Sequence, residues 1–401
     1  MTEPQPVITS NKVTKFICSS CEFTGYLTLD GEVSELYLWL DDLGIEVLEL
    51  VKNRVLKLGD YVVDREQWFE YTTPTPYSIV PDLDSYVRYL QQFVGKHIEG
   101  KTLLLSYSGG KDSTAALIIL LKLQELVRFR LHVCYVHIPY LEPKINVDYV
   151  MEIGKRLGID IEVLEPPRWI VRKYLMKEGL PYRRSRWCTY LKVRPLRSIR
   201  KVIGADFEVT GDRLLECRKR FKRLMALLER STFISGKEFR PIYPLTIVDI
   251  VKICRESTGI VHPQYLRGFS RVSCTYCPYR STYEVLISSV DEVEDPGLID
   301  SVLRMSYEKW YRDYVDFSDF IRYGLWRYVP KVAKMFSLLR DSIRKEIEKG
   351  CARGAVKLGE VTDAYRSIWV KELPQFPTVS IEVFHEFLKK RCGILSKEVT
   401  N

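Results

Sequence analysis

Two hydrophobic periods take turns between Lys101 and Leu164. Leu103 to Tyr107 and Leu131 to Val136 are short, nearly continuous apolar runs of strand length. Thr114 to Leu126 and Val147 to Leu157 instead place apolar residues three and four positions apart, as a half-buried helix does, and Ile159 to Leu164 again has strand length. Strands and helices in strict alternation predict an α/β fold, a Rossmann-like parallel sheet with helices on both faces. Asp84 to Val94 reads as a lead-in helix. Phe207 to Thr210 is a later strand that runs into Gly211, Asp212 and Arg213. Ligands in such sheets sit beyond the carboxyl ends of the strands, which is where Ser106 to Thr114 and Thr210 to Arg213 fall.

The ends of the chain follow other patterns. Residues 1–75 alternate in short segments, among them Tyr26 to Leu29, Ile45 to Val51 and Tyr61 to Val63, with a turn at Asp30 and Gly31, and predict a small β-rich unit. Thr73, Pro74, Thr75 and Pro76 then punctuate the sequence. Beyond about residue 290 the pattern turns helical and aromatic, from Trp310, Tyr311 and Tyr314 through Phe317, Phe320 and Tyr323 to Trp326 and Tyr328. Spacings of three and four make core packing the default reading of these rings, with a base-stacking surface as the alternative. Three units are expected: 1–75, 76–290 and 291–401. A length of 401 residues exceeds what one hydrophobic core usually spans.

Composition adds little to the fold and more to the chemistry. A hydrophobic share of 46% supports a globular protein. The absence of a charged apolar leader, or of a run near the ~18 residues of a membrane span, leads to the expectation of a cytoplasmic protein with no membrane partner. Net charge is +9, informative only where basic residues gather. They gather from Arg183 to Arg200 and again from Arg213 to Arg223. Ten cysteines, in that compartment, argue for metal or redox use over a disulfide frame.

Ser106-Tyr-Ser-Gly-Gly-Lys-Asp-Ser-Thr114 joins the first strand to its helix. Gly109 and Gly110 permit a bend that a side chain would obstruct, so consecutive amides and the helix N-terminus face one anion. The spacing is not that of a Walker A loop, which needs four residues between its first glycine and Gly-Lys. A plain glycine turn, with Asp112 and Ser113 capping the helix, is the competing reading.

Cysteine spacing supplies the second motif. Cys274-Thr-Tyr-Cys277-Pro278 can present two thiolates to one centre, and Cys188 lies upstream in Arg186-Trp187-Cys188. Proline after the last cysteine is familiar from iron–sulfur sites; zinc, or inert buried thiols, are the alternatives. Cys18 and Cys21 form a half-site, a redox pair or simple packing. Cys134, Cys254, Cys351 and Cys392 read as structural, although the basic setting of Cys392 would lower its pKa.

Taken together the motifs resemble the phosphoadenosine phosphosulfate (PAPS) reductase family of the PP-loop, or adenine nucleotide α-hydrolase, superfamily. Ser108 to Thr114 match the SGGxDS loop of that superfamily. Trp187 to Leu196, Gly211 to Arg220, Arg240 to Val251 and His262 to Pro278 are similar, in order, to the family's later segments. The resemblance covers about residues 100–285 and implies a HUP-type fold. It implies adenine-nucleotide binding by Ser106, Ser108, Gly109, Gly110, Lys111, Asp112, Ser113, Thr114, Gly211 and Arg213, with Lys111, Asp112 and Arg213 catalytic and a magnesium ion held with ATP. Arg186, Lys192, Arg220 and His262 are the implied contacts to a substrate anion.

Two departures from the family pattern carry information. Trp187 stands where iron–sulfur reductases have the first of paired cysteines, so Cys188, Cys274 and Cys277 carry over as ligands and Cys217 is the candidate fourth; an open iron is the other solution. The loop also keeps the Gly-Gly-Lys-Asp core associated with cleavage of ATP to AMP and pyrophosphate. The resemblance is therefore nearest to the archaeal PAPS-reductase-like branch related to DNA-phosphorothioation sulfur enzymes. It implies sulfur transfer or thiolation with a [4Fe–4S] cluster, alternatively zinc, served by a sulfur or electron donor protein, with nucleic acid a candidate substrate. The alternatives are a sulfonucleotide reductase that releases sulfite, and a nucleic-acid-binding module with a structural metal. The sequence leaves the number of subunits open.

Overall fold

The computed structural model describes residues 78–80, 82–214, 220, 223–224, 227, 232–288, 293–334, 336–338 and 358–372, together with the backbone of five N-terminal strands. Those strands are β1 (Gln5–Thr9), β2 (Lys12–Cys18), β3 (Cys21–Thr28), β4 (Val55–Leu58) and β5 (Tyr61–Asp64). The first three make an antiparallel meander and the last two a hairpin. Cys18 and Cys21 are register partners across the turn that joins β2 to β3. The expected segment Ile45 to Val51 and the turn at Asp30 and Gly31 lie outside the described residues.

The main sheet follows a lead-in helix, α1 (Leu83–Ile98). Next come β6 (Thr102–Tyr107), α2 (Lys111–Gln124), β7 (Arg130–Val136), α3 (Lys144–Leu157) and β8 (Glu162–Leu164). Then follow α4 (Arg168–Glu178), α5 (Trp187–Val202), β9 (Phe207–Val209) and a small hairpin of β10 (Ile234–Ser235) and β11 (Glu238–Phe239). Strand order is β10-β11-β9-β6-β7-β8, parallel throughout except between β10 and β11. This is the Rossmann-like sheet that the alternation predicts.

Strand alternation assigns the two faces. Leu103, Leu105 and Tyr107, with Val133 and Tyr135, enter one core together with Ala115 to Leu120 of α2. Leu104 and Cys134 point the other way, against Ala205 and the α5 residues Leu196 and Ile199. Because α2 is buried nearly all round, its apolar run is continuous rather than striped.

Two boundaries differ from the sequence reading for local reasons. Helix α2 begins at Lys111, three residues before its apolar run, because the extended Gly110 serves as N-cap. Strand β8 begins three residues late: Gly158 ends α3 at φ +65° and the Ile159 amide donates back to the Gly154 carbonyl, so this cap uses the segment the pattern gave to the strand.

The remaining helices are α6 (Ile247–Thr258), α7 (Pro263–Leu266), α8 (Thr282–Leu286) and α9 (Pro296–Ser306), which continues as a π-helical turn over Tyr307–Tyr311. After these come α10 (Phe317–Arg322) and α11 (Leu358–Val370). Thr246 and Asp249 cap α6 reciprocally, and buried Asp249 also accepts from Ser78 Oγ at 2.5 Å and from the Ile79 and Val80 amides at 3.0 Å. One carboxylate thus ties the chain before α1 to the helix that packs on α2. A second core joins Val136, Leu175, Trp187 and Leu191 to Tyr276 and to Val302, Tyr311, Phe320 and Trp326.

Candidate active site

The loop from β6 to α2 is built by glycine and tied by hydroxyls. Gly109 sits at φ +72°, and a Cβ there would lie 3.2 Å from Val150 Cγ2. Ser108 Oγ and Ser113 Oγ are 2.9 Å apart, and the hydroxyls of Ser113 and Thr114 both donate to the Gly110 carbonyl at 3.0 Å. Gly110 offers no side-chain cap, so the first-turn amides of Asp112 and Ser113 stay available to an anion. The second loop comes in against the first. A Cβ on Gly211 would lie 3.1 Å from the Ser113 nitrogen and 3.2 Å from the Asp112 carbonyl carbon, a close approach that only glycine allows.

That approach carries Arg213 onto Asp112. Arg213 Nε donates to Asp112 Oδ1, and Lys111 Nζ lies 3.2 Å from Oδ2. Arg213 is 1% exposed. Burial alone would push the Asp112 carboxyl up, but Arg213 and Lys111 outweigh it and hold it well below the usual carboxylate range. Both oxygens of Asp112 are engaged, so magnesium binding there requires one cation to turn away. Arg220, Arg223 and Arg240 approach Asp212 at 3.4, 2.5 and 3.9 Å, and burial lowers the Arg220 pKa. Ser106 is the β6 register partner of Cys134 in β7.

The cysteines meet beside this loop. Cys188 lies in the first turn of α5, and Cys274 and Cys277 lie between α7 and α8, where the Cys277 amide donates to the Cys274 carbonyl at 3.2 Å. The thiols lie close enough to bias one another's ionisation. Lys192, one turn along α5 from Cys188, feels all three and stands 3.5 Å from Glu142 Oε2. Burial raises the Cys188 and Cys274 thiols, reinforced by Cys277 for the first and Glu142 for the second. Burial would lower Lys192, yet Cys274 and Glu142 hold it above its ordinary value.

Half-buried thiols around a single ammonium form a donor set short of positive charge, which a metal centre would supply on deprotonating them. Among the described residues, His132, Cys134 and Glu162 are the group whose donor atoms all lie within 4.8 Å of one another. Three thiols, the last followed by proline, could serve as ligands to an iron–sulfur cluster or to zinc. Cys217 lies outside the described residues, as do Arg218, Lys219 and Lys222.

One segment connects cysteines and loop. The Tyr265 hydroxyl accepts from the Lys111 amide at 2.9 Å. Gln264 next to it exchanges two hydrogen bonds with the backbone of Ser273, at 2.9 and 3.0 Å, immediately before Cys274. Tyr265 stacks on Trp369 of α11 with centroids 4.5 Å apart. Fully buried Arg280 donates from Nε to Ser273 Oγ at 3.0 Å, and its own amide donates to the Cys277 carbonyl at 3.1 Å. Glu142 accepts from Tyr135 at 2.7 Å, from the Ile138 amide at 3.1 Å and from Asn146 at 3.1 Å. Sequence reasoning missed Glu142, Gln264, Tyr265 and Arg280. Only Glu142 carried a signal, as an acid between the end of an apolar strand and Pro143.

Of the expected anion contacts, Lys192 faces the thiols, Arg186 is exposed with its guanidinium 5.0 Å from the Tyr279 ring centroid, and Arg220 stands on the opposite loop. His262 is wholly buried and accepts the Gln264 amide on Nδ1 at 3.1 Å, while Nε2 has no hydrogen-bond partner. Burial lowers its pKa to about 4, against an opposing pull from Glu142. The folded state therefore binds fewer protons than the unfolded state, whose histidine titrates near 6.5. Stability is expected to be complete above pH about 6.5 and to fall towards pH 4 by about 3 kcal/mol. Urea unfolding at several pH values should show this slope, and His262→Asn should flatten it.

A glycine loop at the carboxyl edge of a parallel sheet, closed by a buried lysine–aspartate–arginine cluster, defines a Rossmann-like α/β domain. Residues 102–280 match the phosphoadenosine phosphosulfate reductase domain. Two proteins of Methanocaldococcus jannaschii, both described as uncharacterized, are 26% and 25% identical over 76% and 71% of this chain; the chain spans 69% and 60% of their lengths. Among solved structures, the U34-tRNA thiolase NcsA from Methanococcus maripaludis with its [4Fe–4S] cluster aligns at TM-score 0.35 and 11% identity, over 74% of this chain and 90% of that one. The NH3-dependent NAD synthetase from Campylobacter jejuni aligns at 0.31 and 13% identity, over 67% and 94%. No described helix is long and apolar enough to cross a membrane.

Proposed function

We propose that this chain binds an adenine nucleotide, ATP by preference, on the loop from Ser108 to Thr114 and couples it to sulfur transfer beside Cys188, Cys274 and Cys277. The observation that carries the reading is the segment 262–277, which touches the loop through Tyr265 and orients the cysteine segment through Gln264. In it the nucleotide's terminal phosphates rest on the amides of Asp112 and Ser113, and Lys111 and Arg213 compensate charge growing on departing pyrophosphate. An acceptor oxygen attacks the α-phosphorus, the α–β bridge breaks, and a sulfur nucleophile then displaces AMP from the activated acceptor. Arg186 and Lys192 are the cations placed to hold an anionic acceptor or donor near the thiols. Cys188, Cys274 and Cys277 would hold an iron–sulfur centre; with Cys217 as fourth ligand it would offer a route for electrons, and without it an iron open to a sulfur ligand. The three-unit division at 75 and 290, and magnesium as the companion of ATP, belong to the same proposal.

The test is pyrophosphate release by anaerobically prepared protein given ATP and sulfide. Release is expected, with no sulfite from PAPS, and Lys111→Ala should cut it by about 100- to 1,000-fold, the usual cost of one charge-stabilising group. Sulfite from PAPS without ATP cleavage would establish the reductase reading instead.

A further inference from the structure

We infer that a cavity adjoining the cysteine segment takes a nucleobase carried on a phosphate. The cavity has a volume of about 230 Å³, and its walls include Leu180, Tyr182, Ser306, Trp310, Tyr311 and Trp326. That is below the ~300–1,000 Å³ of a site for larger ligands and suits a single planar ring system. Aromatic faces bind bases without regard to sequence.

Three observations mark it as a built site rather than a packing gap. Ser306 is 4% exposed, is among the residues that line the cavity, and has no hydrogen-bond partner for its hydroxyl. The turn Tyr307–Tyr311 that supplies Trp310 and Tyr311 is π-helical, an irregularity that proteins retain mostly at functional sites. Gly179, at φ +73°, brings the opposite wall so near that a Cβ would lie 2.6 Å from Ser306 Oγ and 3.1 Å from Trp310 Cζ3.

The walls also adjoin the cysteines. The Trp187 indole, next to Cys188, donates to the Gly179 carbonyl at 3.2 Å. Tyr276, between Cys274 and Cys277, packs on Trp326 with centroids 5.7 Å apart. Charge complements the rings: Arg184 and Arg186, just past the wall residue Tyr182, are exposed, and Lys309 sits 4.8 Å over the Trp310 ring. A base in the cavity thus places its phosphate towards these cations and its edge towards Ser306 and Glu178. This assignment rests on the sulfur-transfer reading only for what happens next, since it would make a base the acceptor; binding itself is independent of it.

The experiment titrates the full chain with two fluorescent probes, 2-aminopurine ribonucleoside monophosphate and a short single-stranded RNA containing one 2-aminopurine. Quenching on binding is expected. Trp310→Ala should weaken it about tenfold or more, and Trp310→Phe should restore most of the affinity. Arg184→Gln with Arg186→Gln should lower the salt dependence of RNA binding by about one unit of slope per lost phosphate contact. RNA binding more than tenfold tighter than the mononucleotide identifies a polynucleotide as the source; equal affinities identify the free nucleotide. Absent quenching, or a Trp310→Ala variant within twofold of the unaltered protein, overturns the assignment. Base binding by protein that holds no iron would sink the sulfur-transfer reading and leave this one intact.

Discussion

Cys277→Ala, prepared without oxygen, is expected to lose at least tenfold of its bound iron together with the broad visible absorption of the unaltered protein, and the same holds for Cys188→Ala and Cys274→Ala. Three thiols bear on Lys192, two of them raised by burial, and the proposed metal centre would draw its ligand set from them. Changes to groups that merely orient ligands cost 10–100-fold in affinity, so loss of a ligand should cost no less. Cys254→Ala is the control. Its buried thiol lies on α6 and donates to the Lys111 carbonyl at 3.3 Å. Iron should be retained there. Colourless protein holding zinc on the same three cysteines would end the cluster reading.

The second large effect is expected at Arg213. Arg213→Met keeps much of the side-chain volume and removes the charge, leaving Asp112 in a buried place with Lys111 alone. Removing one partner of a buried ion pair typically costs about 3–5 kcal/mol. Urea unfolding should show that loss at neutral pH, and ATP binding should fall with it, because the loop loses a cation facing the phosphates. The pH dependence has a definite sign. In the unaltered protein the Asp112 pKa lies below its unfolded value near 3.9, so its stabilising contribution is complete above that pH and is lost only as pH falls through the folded value. Without Arg213, burial is less opposed and the carboxyl pKa rises. Acid unfolding of the variant should therefore start at a higher pH. An unchanged acid limb would mean that Asp112 draws its stabilisation from elsewhere.

The glycine loop was legible because its chemistry is local. Gly109 and Gly110 lie between an apolar strand and an apolar helix, and the left-handed φ at Gly109 is what that sequence implies. The alternation of periods likewise determined the parallel sheet, since a residue's face in a strand depends only on parity: Leu103 and Leu105 face one core and Leu104 the other. Parity cannot foresee strands of two residues, and so the β10–β11 hairpin around Gly236 had no signal. His262 drew attention as a histidine before proline, yet the structure seals it in the interior as a cap on the Gln264 amide. Helix α11 was no more legible: Trp369 finds Tyr265 across a separation that no periodicity records.

What the amino-acid order determined by itself was the class of domain and the glycine loop, because each depends on neighbours a few residues apart. Only tertiary structure decided what surrounds them. Glu142 beyond β7 meets Lys192 of α5, and Tyr265 of α7 meets Lys111 of α2, although the members of each pair are far apart in the chain. The charge of Asp112 and the protonation of the buried thiols are properties of that meeting, set by burial and by cations that arrive from elsewhere in the fold.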